Sequence, residues 1–531
     1  MEELRNTVIN LLQALVNKGL LTREQAEQLV KQAQDKAAAD AAAAVAKNEA
    51  QAKEEQNAVR VPYVPQIVKD DIAKQVEQQI RPTVVADVVK QAKEEKWGVP
   101  GALPEWLSRV KVYGDVTVRA QGDEYPSDNA INIPDYNAIN AAGGRERATY
   151  PFLDTTEDRH RMRLRARFGV EGDVSPYVTA FIRLSSGSLT DPSSESQTLG
   201  NYGSRYTVGI DQAYINWNTN LPNKLSLSTL AVGRIPNPWF SPTELVYARD
   251  LSFEGVADTL RLGWGDGGSD RSHVYMTLGA FPMLEVPLAN SDNKWLVGGQ
   301  LGTHLRFFGG ADHFRLGLAY YDFLHVTGRR DPPNLPTYNY TAPPFVRYGN
   351  SMFDITNSTF DPTVNLYALA AHFRLADIAA TYEHSFSSRY LASITGEAVR
   401  NVGYKQAEVE ALTGATYPSA ENKGYVGELS FGNPLVDKFG RWRAAVGYRY
   451  VKADAVIDAW TDADFHGGGT NAKGYYFWTS FGVARNTWLR LRYMSANEVE
   501  GPLPTNTDPN VAYGASKYGL DIWQLDLNAR F

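Results

Sequence analysis

Residues Arg159–Val170 read RHRMRLRARFGV. Arg159, Arg161, Arg163, Arg165 and Arg167 hold the odd positions, and Met162, Leu164, Ala166, Phe168 and Val170 the even ones. A period of two is that of a β-strand, whose successive side chains point to opposite faces. One face is therefore cationic and the other apolar. Arginines this close repel one another unless water or facing carboxylates screen them, which a packed apolar core does not provide. The strand calls for a wet surface on one side and an apolar surrounding on the other.

The same alternation recurs from Arg109 onward. Sixteen candidate strands lie near 109–121, 159–171, 176–185, 206–218, 224–234, 257–265, 272–281, 294–308, 312–324, 363–374, 376–385, 423–432, 440–451, 473–485, 487–497 and 517–531. In the first, Val110, Val112, Val116, Val118 and Ala120 oppose Lys111, Asp115, Thr117, Arg119 and Gln121. In the fifteenth, Leu489, Leu491 and Tyr493 oppose Arg490 and Arg492. Connections after even-numbered strands are short, such as Gly172–Ser175 and Gly309–Ala311, whereas 122–158, 325–362 and 386–422 follow odd-numbered ones. Short turns at one end and long loops at the other, on an even strand count, are the pattern of an outer-membrane barrel. A soluble sandwich has no reason to sort loop length by parity.

The apolar faces fit lipid. They end in aromatics, Trp217, Trp264, Trp295, Trp442, Trp488 and Trp523, and such rings favour the membrane–water boundary. The last strand alternates Trp523, Leu525, Leu527, Ala529 and Phe531 with Gln524, Asp526, Asn528 and Arg530. A closed barrel also removes the exposed edges that so much sheet would carry. The reading is an all-β transmembrane barrel of about sixteen antiparallel strands, over residues 101–531.

Composition narrows the function. No run of about 18 apolar residues exists, so no transmembrane helix is expected. The net charge of −7 argues against nucleic acid as a partner. With no cysteine there are no disulfides, thiolate zinc sites or cysteine nucleophiles, and 29 Tyr, 11 Trp and 44 Gly suit a β-rich exported protein. Residues 1–30 lack a secretory signal pattern, so the numbering is expected to begin near a mature end, or the true start lies upstream. No HExxH, GxSxG or phosphate loop is present, so no enzyme, cofactor or metal is expected.

Residues 1–100 differ from the rest. Leu4, Val8, Leu11, Leu12 and Leu15 share one helical face, and Thr22 with Gln25 forms a capping box for a second helix. Narrow apolar stripes such as Val68, Ile72, Val76 and Ile80 suit a coiled coil or helix hairpin that needs a partner. A helical linker packing on nothing is the alternative.

Four blocks carry a likeness to a known family: LRNTVINLLQALVNKGLLTREQAEQLV at 4–30, the region from Arg161 to DQAYINW at 211–217, GRIPNPWF at 233–240 with RDLSFEGVA at 249–257, and DAVIDAWTDADFHGGGTNAKGY at 454–475. In these the chain resembles the putative porin family of Gram-negative outer membranes, whose members carry a helical segment before the barrel. The resemblance implies an outer-membrane channel and, for related porins, a homotrimer in lipid and lipopolysaccharide, with the N-terminal segment in the periplasm. It implies little about solute.

Inside such a barrel Arg119, Arg161, Arg163, Arg165, Arg167 and Arg183 form a cationic wall across strands 1–3. Opposed by acids on an inward-folded loop, the wall makes a constriction for passive diffusion of small hydrophilic or charged solutes. The plainer reading is that these arginines pair with neighbouring strands as scaffolding. Glu383 and Glu428 sit on candidate inner faces, and Asp322, Asp354 and Asp361 lie at or in 325–362, one candidate plug loop beside 122–158 and 186–205. Asp454, Asp458, Asp462 and Asp464, near Gly467–Gly469, read as a solvated, turn-rich loop rather than a calcium site, lacking the full EF-hand spacing and its terminal Glu. A different class of function remains open: an envelope tether, in which the helices contact the cell wall or a partner and the barrel is the anchor.

Overall fold

Strand β1 (Val110–Glu124) pairs antiparallel with β2 (Arg159–Ser175), with Thr117 opposite Arg165 and Asp115 opposite Arg167. The ladder continues through β3 (Val178–Ser185), β4 (Gly209–Asn220), β5 (Ser226–Pro236), β6 (Ser252–Trp264), β7 (Ser272–Leu284) and β8 (Lys294–Phe307). It runs on through β9 (Asp312–Leu324), β10 (Phe373–Ser385), β11 (Leu391–Asn401) and β12 (Lys423–Gly432). Strands β13 (Trp442–Val451), β14 (Ala472–Ala484), β15 (Thr487–Glu498) and β16 (Gly519–Arg530) complete it. Strand β16 then pairs with β1, Asp115 opposite Arg530, and Gly114 and Phe531 exchange backbone hydrogen bonds at 3.1 and 3.0 Å. The sheet is thereby a closed barrel of sixteen spanning strands, with the two-residue stretch Gln197–Thr198 added beside β2. This computed structural model describes residues 109–531 apart from 221–225, 265–270, 289–290, 360, 362 and 500–516, and also Gln28, Lys31 and Lys36.

Those three residues are helical; the remaining expectations for residues 1–100 lie outside the described residues. The chain divides into two compact units, 1–103 and 104–531, and the barrel is the second.

Alternation sorts the side chains as a lipid-embedded barrel requires. Val112, Met162, Phe168, Ile182, Ile215 and Leu301 are exposed on the outside. Trp217 and Trp264 stand near the short-turn ends of their strands, and Trp295 and Trp523 near the long-loop ends, all exposed. Trp442 is also on the outer face. Trp488 is the exception: it shares the inward parity of Arg490 and Arg492 on β15, which hydrogen-bond inside the barrel, so it does not belong to the outer girdle.

Loop length sorts by parity among the described residues, with 125–158, 186–208, 237–251, 325–372, 402–422 and 452–471 at one end. Two strand assignments need correcting. Residues 363–374 do not form a barrel strand; within them Tyr367–Leu369 pairs with Met352–Asp354 inside the long loop. Strand β11 was instead expected to be loop. Its outward residues, Ala392, Ile394, Gly396, Ala398 and Arg400, are mostly small and include a charge, and its inward face mixes Leu391 and Val399 with Ser393, Thr395, Glu397 and Asn401, so the alternation is blurred. The run NLYALAAHF at 365–373 is more apolar because Leu369, Ala370 and Ala371 are buried in loop packing, not lipid.

The apolar core lies inside the barrel at its long-loop end. Phe253, Phe281, Leu296 and Tyr321, from β6–β9, meet Leu245 and Tyr247 of loop 237–251, Ile355 of loop 325–372 and Val456 of loop 452–471. Burying each such side chain contributes about 1.5–3 kcal/mol, enough in sum to hold loops inside a barrel that could otherwise fill with water.

Candidate functional site

Among the loops that enter the interior, 237–251 and 452–471 reach the inward arginines together. Loop 237–251 begins with an Asx turn, the Trp239 amide donating to Asn237 Oδ1 at 3.0 Å. It is pinned to β8 by Phe240, whose amide donates to Gln300 Oε1 at 2.7 Å and whose carbonyl accepts from Gln300 Nε2 at 3.0 Å. Thr243 donates to Glu397 of β11, and the Glu244 carbonyl accepts from Arg449 of β13 at 3.0 Å. Tyr247 packs against Phe253 and Tyr321 at centroid distances of 5.1 and 5.2 Å. The loop then delivers Asp250 to Arg165, at 3.2 Å, and Arg167, at 3.6 Å.

Loop 452–471 locks onto the first. The Thr461 hydroxyl meets the Glu244 and Leu245 carbonyls at 2.9 and 2.8 Å, and the Ala248 amide donates to the Trp460 carbonyl at 2.7 Å. Asp462 Oδ1 accepts from the Asp464 and Phe465 amides at 2.8 and 3.2 Å, forming a tight turn. Gly467, Gly468 and Gly469 then follow with φ of 76°, 94° and 100°, which side chains with a Cβ rarely adopt. This turn aims Asp464 across the barrel. It meets Arg119 and Arg492 at 3.0 Å each, and Arg163 at 3.8 Å. Burial alone would raise the Asp464 carboxyl; Arg119, Arg492 and Arg163 hold it far below the usual carboxylate range.

A cavity of about 200 Å³ opens between this loop and the wall, and seven arginines face five carboxylates around it. The arginines are Arg119, Arg163, Arg165, Arg167, Arg249, Arg490 and Arg492; the acids are Glu244, Asp250, Asp462, Asp464 and Asp526. A smaller cavity of about 90 Å³ adjoins it and shares Glu244, Arg249, Asp462, Arg490 and Arg492.

The six arginines singled out in the sequence all face inward. Their carboxylate partners come both from neighbouring strands and from loops. Arg119 pairs with Asp526 of β16 at 2.7 Å, Arg161 with Asp123 at 2.8 Å, Arg167 with Asp115 at 2.8 Å, and Arg183 with Asp211 of β4, which are wall contacts. Asp464, Asp250 and Glu195, at 3.3 Å from Arg167 and from Arg183, come from loops. Burial, with Asp250 and Asp211 adding to it, pushes the Glu195 carboxyl upward against these arginines.

The acids proposed as their partners lie elsewhere. Glu428 faces inward but accepts from Trp478 Nε1 at 3.1 Å, at the smaller cavity. Glu383 faces inward toward Arg315, at 3.6 Å. Asp322 lies on the outer parity of β9 and meets Arg374 at 3.4 Å. Asp361 meets Arg147 at 2.6 Å in an exposed pair, and Asp354 hydrogen-bonds Thr356 and Asn365 within its loop. The solvated reading of 454–464 is overturned: Asp454 and Asp458 are buried, because the loop folds into the barrel. Arg490, Arg492, Arg249, Asp250 and Asp464 were missed as site residues. The inward parity of Arg490 and Arg492 was readable; nothing local marks Asp464.

A closed barrel with a lipid-facing exterior and a charged, loop-crossed interior is the architecture of an outer-membrane channel. The chain belongs to the family described as "Putative porin", which it matches over residues 5–531. No curated protein matches it. Among solved structures it is similar to the outer membrane channel DcaP of Acinetobacter baumannii, at 12% identity and a TM-score of 0.38, covering 80% of this chain and 97% of that one. It is also similar to OprB of Pseudomonas putida, at 10% identity and a TM-score of 0.42, covering 82% and 97%. OmpF of Salmonella typhi, in complex with daunomycin, matches at 10% identity and a TM-score of 0.37, covering 80% and 97%.

Proposed function

We propose that the protein is a passive-diffusion porin whose constriction is the arginine-lined zone closed by Asp464 and Asp250, and that it favours small anionic solutes. The observation that carries this reading is the arginine face that Arg119, Arg163, Arg165 and Arg167 of β1 and β2 and Arg490 and Arg492 of β15 present to the cavity. Charges lining a narrow aqueous passage attract counter-ions and raise their local concentration, so this arginine face biases traffic toward anions. Residues 1–100 sit on the periplasmic side and the porin assembles as a homotrimer in this reading, with the long loops facing outward from the cell.

Planar-bilayer recording tests it. Purified protein is expected to give stepwise, ohmic conductance, and its absence would sink the porin reading. Replacing Arg161, Arg163 and Arg165 together by Gln is expected to move the reversal potential in a salt gradient toward cation preference. An unchanged reversal potential would exclude the arginine zone as the selectivity element.

A further inference from the structure

The long-loop end holds another cavity, of about 310 Å³, that the constriction does not use. Loops 125–158, 325–372, 402–422 and 452–471 all contribute to its wall. Small-molecule pockets are typically about 300–1,000 Å³, so the space suits one modest solute.

Two features of the lining define that solute. The first is aromatic. Tyr136, from helix α1 (Tyr136–Ala142), and Tyr367 stand with ring centroids 4.7 Å apart, tilted by 44°. Tyr348 and Tyr518 form a second, edge-on pair at 5.1 Å. Rings at a cavity wall receive either a π face or the C–H face of a sugar ring.

The second feature is charge. Asp135, Arg145, Arg347 and Glu498 line the cavity. Three of them are committed within the protein. Asp135 caps α1, accepting from the Ala138 amide at 3.0 Å. Arg347 donates to both oxygens of Asp191 at 2.8 and 2.7 Å. Glu498 accepts from the Tyr348 hydroxyl at 2.7 Å and from Asn471 Nδ2 at 2.9 Å. Arg145 differs: its guanidinium lies over the Phe152 ring, 5.0 Å from the centroid, and meets no carboxylate among the described residues. A guanidinium stacked in this way keeps its planar fork of donors for a carboxylate.

We propose that this cavity binds a small ring-bearing carboxylate, with the acid group on Arg145 and the ring on the tyrosines. The site goes beyond the constriction reading and does not rest on it, since binding there requires no passage through the arginine zone. An aromatic acid and a sugar acid share this chemistry, so the test carries both.

Isothermal calorimetry on the full chain in detergent would compare benzoate with benzyl alcohol, and glucuronate with glucose. At least one acid is expected to bind about tenfold more tightly than its neutral counterpart, the size of one charge-assisted interaction. Which acid wins names the ring. Arg145→Gln is expected to erase that preference, Arg145→Lys to retain part of it, and Tyr367→Leu to weaken acid and neutral ligand alike. All three variants should keep the parent conductance in KCl, which shows them folded. If neither acid outbinds its neutral counterpart, or if Arg145→Gln leaves acid affinity unchanged, the proposal is overturned. A protein that binds the acid but does not conduct would defeat the porin reading and leave this one standing.

Discussion

On one side of the barrel interior, β1, β2 and β15 bring Arg119, Arg163 and Arg492 to a single loop carboxylate, Asp464. On the other, β6–β9 bring Phe253, Phe281, Leu296 and Tyr321 to loop 237–251 and its neighbours. Both sides hold a loop inside the barrel. The apolar side does it by excluding water, and each ring there is spoken for by close neighbours. The charged side does it with ion pairs around a cavity that can hold water and ions. Packing therefore fixes where the loops sit, and charged groups line the space that remains. A barrel lined entirely by the first chemistry would be plugged, and one lined entirely by the second would have nothing to hold its loops in place.

The sharpest way to break this division is on the packed side. Phe253→Ala removes a ring that touches Tyr247 at 5.1 Å and Trp460 at 5.7 Å. It is expected to cost about 3–5 kcal/mol and to lower the thermal unfolding midpoint. Loop 237–251 should also become open to protease. An unaltered midpoint and cleavage pattern would mean that the ring cluster is not what holds the loop.

On the charged side, Asp464→Asn leaves three guanidiniums without their shared carboxylate. The expected loss is smaller, about 2 kcal/mol, because the cavity lets water replace part of the interaction. The clearer signal is selectivity. Reversal potentials should move toward anions, opposite in sign to the shift from the arginine triple. Movement toward cations would contradict an anion-favouring zone.

A graded effect is expected from pH, in the loop that joins the two sides. Burial pushes Asp454 and Asp458 each up to about 7. A carboxyl whose folded value is raised favours the folded loop while protonated. Stability then falls as pH rises from the unfolded value near 4 through 7, and levels off above. His466, pushed down by burial to about 4, acts in the opposite sense between about 4 and 6.5 and offsets part of this. Hydrogen-exchange protection in 452–471, taken relative to the intrinsic base-catalysed rate at each pH, should accordingly be greater at pH 5 than at pH 8, and Asp458→Asn should narrow the gap. Equal protection at both pH values would show that these carboxyls do not bear on the loop.

Much of the barrel was legible because its signal is local. Arg159–Val170 declares its two faces within a dozen residues, and loop parity needs only lengths. Strand β11 was not legible, since Ala392, Gly396 and Ala398 give its lipid face little apolar contrast. The stretch around Leu369–Ala371 misled for the converse reason, being apolar on account of loop packing. Half of the candidate site was readable in the same way: inward parity identifies Arg119, Arg161, Arg163, Arg165, Arg167 and Arg183 without any partner in view.

The other half depends on distance along the chain. Arg119 and Asp464 lie 345 positions apart, and Arg165 and Asp250 lie 85 apart. A loop aspartate looks the same whether it faces solvent or three guanidiniums. The sequence by itself determined a barrel with one cationic inner wall, because a two-residue period acts on each strand separately. Only the tertiary structure decided which carboxylates face that wall, because the apolar core that draws loops 237–251 and 452–471 inward is assembled from strands and loops scattered across the chain, and exists only once the barrel has closed.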